Sequence, residues 1–404
     1  MIAVGPTGLI TAMFAAQVLG MASFVTFPGL LPLFQRDWML TNAEAGWISG
    51  VFFAGFVAAA PLLTAATDRI DPRRIFLAGI ALSALSNIGF AALADGFWSG
   101  SLWRCLQGIG FAGTYMPGLR AVSDAVPERL RNRGVAFFTA TFTVGASFSF
   151  LVSGIAANSL SWRGVFYVLA IGPLAGLVVG WLFLPRRTAV PAAGGRLAGL
   201  ATQIRKPALL RYFAGYFLHN AESSTMRAFV IAYLAFAAAQ QPAGAAEAGL
   251  SPTMIAAIAN LLGLPGILLA SEATRFVRRD RLIAAVMLLS AGTGLLLGVL
   301  AGAPLGIVVA LLLLYGFLVP ADVGAINAGV VENADLGHRG AALALHSVCG
   351  FTGAFLGPVI FGAALDWSGG ETDAGAWAAA FATLAAVIAI WPLMLVISGR
   401  RSGV

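Results

Sequence analysis

Ionisable and amide side chains interrupt one long apolar run near residue 220. The run RYFAGYFLHNAESSTMRAFVIAYLAF, residues 211–236, contains His219, Asn220, Glu222 and Arg227. A charge near the centre of a bilayer costs ~3 kcal/mol on insertion scales, and protonation of Glu222 removes that charge. A carboxyl that takes up and releases a proton as water reaches it from alternate sides provides proton coupling. The run therefore predicts Glu222, with His219 nearby, as proton-coupling residues.

Other interpretations of this run stay open. His219 and Glu222 are three residues apart, so their side chains can meet on one helix face, and the His-x-x-Glu spacing also suits a metal ligand pair. A second such motif is absent from the sequence, so we predict no metal and no other cofactor. Glu222 can instead be a neutral group bonded to a neighbouring helix. Arg227 and Asn220 are candidate substrate-binding residues, as is Tyr216 one turn earlier.

The composition shows what kind of element holds these residues. Hydrophobic residues make up 59% of the 404 residues and charged residues 10%, against roughly 45–50% and about 25% in soluble proteins. A helix needs about 20 apolar residues to cross the hydrocarbon layer. We therefore predict an all-α integral membrane protein. Its twelve transmembrane helices are expected at roughly 8–34, 43–66, 75–95, 99–124, 134–157, 162–184, 208–238, 252–272, 282–302, 304–328, 340–364 and 375–398.

The positions of the cationic residues predict the orientation. With both termini in the cytoplasm, nineteen of the 24 Lys and Arg residues fall on the inner side, and only Arg36 and Arg163 fall outside. Cytoplasmic loops carry such an excess. The cations recur in short clusters between apolar runs, whereas a nucleic-acid binder gathers them in one patch. We predict a multi-pass protein of the bacterial inner membrane that binds no nucleic acid.

The chain divides into two halves that resemble each other. A Pro-, Gly- and Arg-rich segment at 185–207 separates six predicted helices (1–184) from six more (208–404). Aligning Arg69 with Arg275, and Arg133 with Arg339, gives the same offset of 206 residues in two separate loops. The agreement indicates a duplicated six-helix bundle, an arrangement that places a substrate site near the bilayer midplane.

Two motifs resemble those of the major facilitator superfamily of secondary transporters. The loop after the second helix has Asp68, Arg69, Arg73 and Arg74 in the family's spacing, although Thr64 and Asp71 replace its two glycines. The fourth predicted helix contains the family's Arg-x-x-Gln-Gly-x-Gly motif. Its residues in this chain are Arg104, Gln107, Gly108 and Gly110. The resemblance extends over the whole chain and implies two six-helix, pseudo-symmetric bundles that work by alternating access.

The resemblance implies roles for several charged residues. It makes Asp68, Arg69, Arg73 and Arg74 a latch at the cytoplasmic ends of helices, with Arg275 in the second copy; simple anchoring at the membrane surface is the alternative. Proton coupling has been proposed for the arginine at the position of Arg104. Packing is the alternative for this residue.

Arg120 has three possible partners. It is four residues from Asp124, which can neutralise it. It also lies about 24 Å deeper than Arg104 at 1.5 Å per residue, where a gate pair with Asp322 of the other half is a hypothesis. Contact with substrate is the third interpretation. By resemblance, helices 1, 4, 7 and 10 line the cavity, which adds Gln17 and Tyr115 to the candidate substrate-binding residues.

These observations together predict a monomeric, proton-coupled secondary transporter of a small organic anion or polar metabolite. The first predicted helix has no acid, and Arg120 and Arg227 lie within the membrane, which favours an anion. Proton-driven efflux of drugs or other hydrophobic compounds is the first alternative, with an aromatic lining near Phe24, Phe27, Tyr216 and Phe217. A non-transporting member that assembles a membrane complex is the second. No nucleophile or ATP-binding motif supports an enzyme.

Overall fold

The computed structural model describes residues 4–186, 199–242, 249–335 and 338–401, without the side chains of residues 132 and 396–401. Most of the predicted linker, residues 187–198, lies outside the described residues, and so do the cations at 187 and 196. Within the described residues the regular elements are α-helices.

The helices follow one another through short connections. The first nine are α1 (Pro6–Gly20), α2 (Thr26–Gly29), α3 (Leu31–Trp38), α4 (Asn42–Ala66), α5 (Pro72–Leu93), α6 (Phe97–Ala125), α7 (Glu128–Ala157), α8 (Trp162–Leu169) and α9 (Ile171–Phe183). The others are α10 (Leu200–Gln203), α11 (Pro207–Ala239), α12 (Pro252–Leu261), α13 (Gly263–Ala273), α14 (Arg279–Val299), α15 (Leu305–Leu318), α16 (Val323–Asn333), α17 (Arg339–Trp367) and α18 (Ala374–Arg401). In the described ranges, nine helical stretches are long and apolar enough to cross a membrane. The prediction of an all-α, twelve-helix membrane fold is confirmed.

Several predicted spans are broken rather than continuous. The span expected at 304–328 ends as a helix at Leu318 and resumes at Val323. Pro320 lies in the gap, and proline interrupts a helix because it lacks the N–H donor and clashes with the preceding turn. The span expected at 252–272 is divided at Leu262 into α12 and α13, and a Cβ on Gly263 would lie 2.5 Å from Pro320 Cγ. Broken helices at membrane depth occur where protein buries them or where they line a cavity.

The first predicted span, 8–34, is also interrupted. Helix α1 ends at Gly20, and the chain passes through turns at 21–25 before α2 and α3 carry it on to Trp38. The turn residues are buried, with Ser23 and Val25 at most 2% exposed. Ser149 Oγ accepts a hydrogen bond from the Val25 N–H at 3.0 Å. The side chain of a neighbouring helix thus satisfies a backbone group that the break leaves without a helical partner.

The chain forms two compact units. Unit 1 comprises residues 1–34 and 51–195, and unit 2 comprises 35–50 and 196–404. The core of unit 1 includes Phe76, Ile80 and Phe138, and that of unit 2 includes Phe213, Ile326 and Trp391. Residues 35–50 belong to unit 2 by packing although they precede most of unit 1. The predicted boundaries at 184 and 208 stay a prediction.

Helix α17 packs against α11 with almost no space between the two backbones. A Cβ on Gly353 would lie 2.0 Å from the Phe217 carbonyl oxygen. We expect Gly353→Ala to lower the free energy of unfolding by about 1–3 kcal/mol, because overpacking forces the backbones apart. Gly292→Ala is the matched control, since no atom lies within 4 Å of its Cβ position. Thermal unfolding in detergent measures both, and equal melting temperatures would contradict the expectation.

Candidate functional site

Glu222 lies inside unit 2, on the part of α11 that the sequence places near mid-membrane. Its side chain is nearly inaccessible, with the residue 3% exposed. The Ser290 hydroxyl of α14 shares its one proton between Glu222 Oε2 at 3.2 Å and the Met287 carbonyl at 3.0 Å. Tyr315 of α15 adjoins the same carboxyl. Two neutral hydroxyl groups thus contact the carboxyl.

His219 binds Asp322 rather than Glu222. His219 Nδ1 lies 2.7 Å from Asp322 Oδ1, and the two side chains are 7% and 3% exposed. Asp322 reaches this position because the break at Pro320 ends α15 and places Asp322 directly before α16. The charge of Asp322 also acts on Glu222. His219 was predicted as a proton-coupling residue and Asp322 as a gate residue. In the structure they form one buried pair beside Glu222.

A stack of rings adjoins this pair. The Tyr216 ring lies over the His346 ring, with centroids 3.8 Å apart and an angle of 15°. His346 Nε2 lies 2.8 Å from Asn327 Oδ1, while His346 Nδ1 is buried without a hydrogen-bond partner. Asn220 donates to the Tyr216 carbonyl at 2.9 Å. His346 is a further polar residue at this site, and its ring stacks on the candidate Tyr216 although 130 residues separate them in the chain.

Arg227 lies two turns beyond His219 on α11. Its Nε donates to Asn260 Oδ1 at 3.0 Å, and its Nη1 donates to the Ser223 carbonyl at 3.2 Å. Asn260 stands near the end of α12. The two hydrogen bonds connect the guanidinium of Arg227 to α12 and to the preceding turn of α11.

In unit 1, Arg104 is fully enclosed. Its Nη1 donates to the Phe24 carbonyl at 3.0 Å and to Gln107 Oε1, and the guanidinium lies 5.0 Å from the centre of the Phe52 ring. Gln107 in turn donates to Ser23 Oγ at 2.9 Å. These bonds connect α6 to the break after α1. These contacts are the ones expected if Arg104 serves packing between helices. A role of Arg104 in proton coupling stays a prediction.

The other two unit 1 candidates are enclosed by neighbours as well. Gln17 donates to Thr114 Oγ1 at 3.3 Å and is 1% exposed, and its Oε1 is buried without a partner. The Tyr115 ring stacks on Phe111 at 5.4 Å. Phe24 and Phe27 are also buried, at 4% and 0% exposed. Other aromatic rings of unit 1 cover Phe24 and Phe27, and the aromatic lining near them stays a prediction.

The proposed latch residues differ in what they contact. Arg120 Nη1 donates to Asp68 Oδ1 at 2.7 Å and to Thr67 Oγ1 at 2.6 Å, and Arg120 Nε lies 3.4 Å from Asp124. The loop after α4 is thereby tied to the end of α6. No sequence pattern predicts the contact between Arg120 and Asp68, which are 52 residues apart.

The remaining latch candidates lie at helix ends. Arg73 Nη2 donates to the Trp181 carbonyl at 2.7 Å, which connects α5 to α9. Arg69 and Arg74 are exposed. Arg275 forms an exposed pair with Glu272 at 3.1 Å. Of the four residues in the first copy of the motif, Asp68 and Arg73 therefore make the contacts between helices.

Arg120 and Asp322, the predicted gate pair, each contact a residue of their own unit: Arg120 contacts Asp68, and Asp322 contacts His219. The gate pair stays a prediction for another state. If it forms there, Arg120→Asp and Asp322→Arg each abolish transport, and the double variant recovers at least about a tenth of the wild-type rate, since close charge pairs are strongly coupled. Uptake into proteoliposomes measures this, and a double variant as inactive as the single variants would refute the pair.

Asp366 is a site residue that sequence analysis missed. At the end of α17, it accepts hydrogen bonds from the Asn42 N–H at 3.0 Å, the Asn42 amide at 2.8 Å and the Ala43 N–H at 2.8 Å. The Glu371 carboxylate accepts another from Asn42 at 2.8 Å. These contacts all lie within unit 2. A carboxylate at a helix N-terminus stabilises it, so Asp366 caps α4 from a position 324 residues away.

Comparisons with known proteins agree with this fold. The sequence model of the Major Facilitator Superfamily matches residues 12–271. The probable sphingolipid transporter spinster homolog 2 of Arabidopsis thaliana is 28% identical over 151 residues, which cover 37% of this chain and 31% of the plant protein. The sphingosine-1-phosphate transporter SPNS2 of Danio rerio is 24% identical over 301 residues, which cover 68% of this chain and 58% of the relative. The matches thus span about a third to three fifths of the length of these curated relatives.

The solved structures show the same architecture over nearly the whole chain. The crystal structure of a bacterial homologue of the human lysosomal transporter Spinster, in an inward-facing and occupied conformation, superposes with a TM-score of 0.75. The match covers 98% of this chain and 96% of the other, at 14% sequence identity. At that identity the likeness concerns the fold.

Proposed function

Because the chain belongs to the Major Facilitator Superfamily, it is a membrane transporter rather than an enzyme, and we propose that it couples proton movement to transport of a small organic anion or polar metabolite. The transport proceeds by alternating access across the bacterial inner membrane, with both termini in the cytoplasm.

The observation that carries proton coupling is the buried cluster of Glu222, His219 and Asp322 in unit 2. Ionisable residues within a membrane span are costly, and they mark ion or proton pathways. Here Asp322 lies at the break between α15 and α16, with His219 and Glu222 of α11 beside it. A proton carrier needs a carboxyl that exchanges protons with alternating sides of the membrane, and Glu222 is the candidate.

The preference for an anion is supported by Arg227 and by the relatives. Arg227 is a guanidinium within the span that donates to Asn260 Oδ1 and to the Ser223 carbonyl. The Danio rerio relative is named for a substrate that carries a phosphate group. A guanidinium binds phosphate or carboxylate through paired N–H donors, so Arg227, with Asn220 and Tyr216 on the same helix, is the proposed substrate-binding group.

Efflux of hydrophobic compounds is the second candidate function. Phe217 lines an apolar cavity in unit 2, and such a surface suits a hydrophobic cargo. Deletion of the gene discriminates between the two: loss of growth on one nutrient favours the metabolite, and increased sensitivity to drugs favours efflux. A purely scaffolding role fits less well, since it does not require buried ionisable residues.

Proteoliposomes that enclose a pH-sensitive dye test the proposal. We expect organic anions, and not organic cations of the same size, to move protons with the solute, and a protonophore to abolish solute accumulation. Proton flux evoked by cations alone, or accumulation that resists the protonophore, would overturn the proposal.

Arg227→Gln tests the charge of the substrate. The variant should raise the half-saturating concentration about 10- to 100-fold, because a hydrogen bond to a charged group contributes ~1.5–3 kcal/mol. Arg36→Gln is the matched control, since the Arg36 side chain is 72% exposed in a pair with Asp37. Equal half-saturation in the wild type and Arg227→Gln would remove Arg227 from the site.

A further inference from the structure

Unit 2 contains an apolar cavity that the proton-coupling cluster does not use. Its volume is about 400 Å³, within the ~300–1,000 Å³ range of ligand pockets. Side chains of α11, α17 and α18 line it, among them Phe213, Ala214, Phe217, Cys349 and Ile390. The Cys349 thiol is the most polar of these groups. Apolar cavities of this kind stay dry and bind apolar molecules.

The cavity extends along one leaflet of the membrane. On α11 it reaches from Leu210, near the start of the helix at Pro207, to Leu218. Eight residues of helix cover about 12 Å, and one leaflet has a hydrocarbon depth of about 15 Å. The cavity therefore has the direction and length of part of an acyl chain.

Positive charge lies beside the shallow end of the cavity. Ile204 and Leu210 line that end, and each is followed in the chain by an arginine, Arg205 and Arg211. Arg205 is exposed and Arg211 is half-buried, and neither forms an ion pair with a described residue. Basic residues next to a membrane span attract anionic lipid headgroups.

Lys206 has a different role from its two arginine neighbours. It contacts Asp335 at 2.5 Å, and Gln203 donates to the same carboxylate at 2.7 Å. These two donors hold the pKa of Asp335 below its usual range. The Asp335 carboxylate thus stays charged at neutral pH. Its two contacts hold the segment that carries Ile204 next to the end of α16.

We propose that this cavity binds one acyl chain of an anionic phospholipid, whose headgroup phosphate lies at Arg205 and Arg211. The apolar lining accounts for the chain, and the two arginines account for the charge. By the predicted orientation, the lipid comes from the cytoplasmic leaflet. Glu222, His219 and Arg227 do not line the cavity, so the lipid site does not depend on proton coupling or on anion binding, whereas a hydrophobic cargo would compete for the same surface.

Photoreactive lipids test this site on the full-length protein in nanodiscs. The discs contain phosphatidylcholine and a small fraction of either phosphatidylglycerol or phosphatidylcholine with a diazirine in one acyl chain. We expect the phosphatidylglycerol probe to couple to the cavity peptides of α11 and α17. Ala214→Phe fills the cavity and should reduce coupling at least about fivefold, as expected when most occupancy is lost. Ala235→Phe, at an exposed position of the same helix, is the control and should not reduce it.

Three results would overturn the proposal. These are equal coupling of the two probes, coupling that Ala214→Phe leaves unchanged, and displacement of the phosphatidylglycerol probe by decyl phosphate added from the water. The last result would identify the occupant as a water-borne amphiphile rather than a bilayer lipid. Substituting both Arg205 and Arg211 by Gln should lower coupling of the phosphatidylglycerol probe to that of the phosphatidylcholine probe.

The thiol of Cys349 gives a second measurement that needs no substitution in the cavity. Cys105 and Cys349 are the two cysteines of the chain, and both are free. In the Cys105→Ala protein, phosphatidylglycerol should slow the reaction of Cys349 with a membrane-permeant maleimide. At a lipid concentration of about ten times Kd the cavity is mostly occupied, so the rate should fall about tenfold. An unchanged rate would overturn the proposal even if Ala214→Phe fails to fold.

Discussion

Glu222→Gln is expected to abolish solute accumulation driven by a pH gradient while solute exchange across the membrane continues. Glutamine has nearly the same shape and keeps an oxygen that accepts the hydrogen bond from Ser290, which lies 3.2 Å from the carboxyl in the wild type. It cannot release a proton. Removal of a proton-transfer group typically lowers a rate by about 10²–10⁴-fold, so gradient-driven uptake should fall at least about 100-fold.

The control for this experiment is Glu272→Gln. Glu272 is a membrane-span acid of the same type, but its side chain is 62% exposed and pairs with Arg275. It should retain gradient-driven uptake within about twofold, because exposed pairs contribute ~0–1 kcal/mol. Uptake under an imposed pH gradient and exchange of labelled solute at equal pH, measured on the same vesicles, separate loss of coupling from loss of transport.

The same measurement decides between the two interpretations of Glu222. If Glu222 is a neutral group that only bonds to α14, glutamine replaces it without loss, and both uptake and exchange persist. Gradient-driven uptake that survives Glu222→Gln would therefore refute proton coupling through this residue. Loss of uptake and exchange together would instead indicate a structural role.

The sequence identified the membrane class, the twelve spans and Glu222, because these depend on local composition. Hydropathy over about 20 residues reports whether a segment can cross a bilayer, and a lone carboxyl in such a segment is conspicuous. The contacts between side chains of different helices could not be predicted from the sequence in the same way. His219 and Glu222 are neighbours on one helix, yet His219 binds Asp322, 103 residues away. Periodicity describes the faces of one helix and carries no information on which helices face each other.

A signal for the His219–Asp322 pair was present in the sequence at Pro320. Proline ends or bends a helix, so the span at 304–328 was a candidate for a break that would reorient the residues after it. No comparable sequence pattern predicted that Asp366 caps α4. Asn42 and Asp366 are 324 residues apart, and each stands at an ordinary helix end, where polar residues are expected for any fold.

Loss of Asp322 is expected to cause the largest loss of stability in the molecule. Asp322→Ala leaves His219 buried without its partner, and removing one member of a buried pair costs about 3–5 kcal/mol. Asp124→Ala is the matched control, because the Asp124 side chain is 51% exposed in its contact with Arg120, and such a pair contributes about 0–1 kcal/mol. Denaturant unfolding in mixed micelles measures both.

A double-mutant cycle distinguishes the pair from two independent residues. We expect His219→Leu with Asp322→Ala to be about 1–3 kcal/mol more stable than the sum of the single losses predicts, since contacting residues are coupled to this extent. Additive losses would show that the 2.7 Å contact contributes little. Because His219 lies on α11 and Asp322 lies directly before α16, a strong coupling would mean that this pair is what joins the two elements inside unit 2.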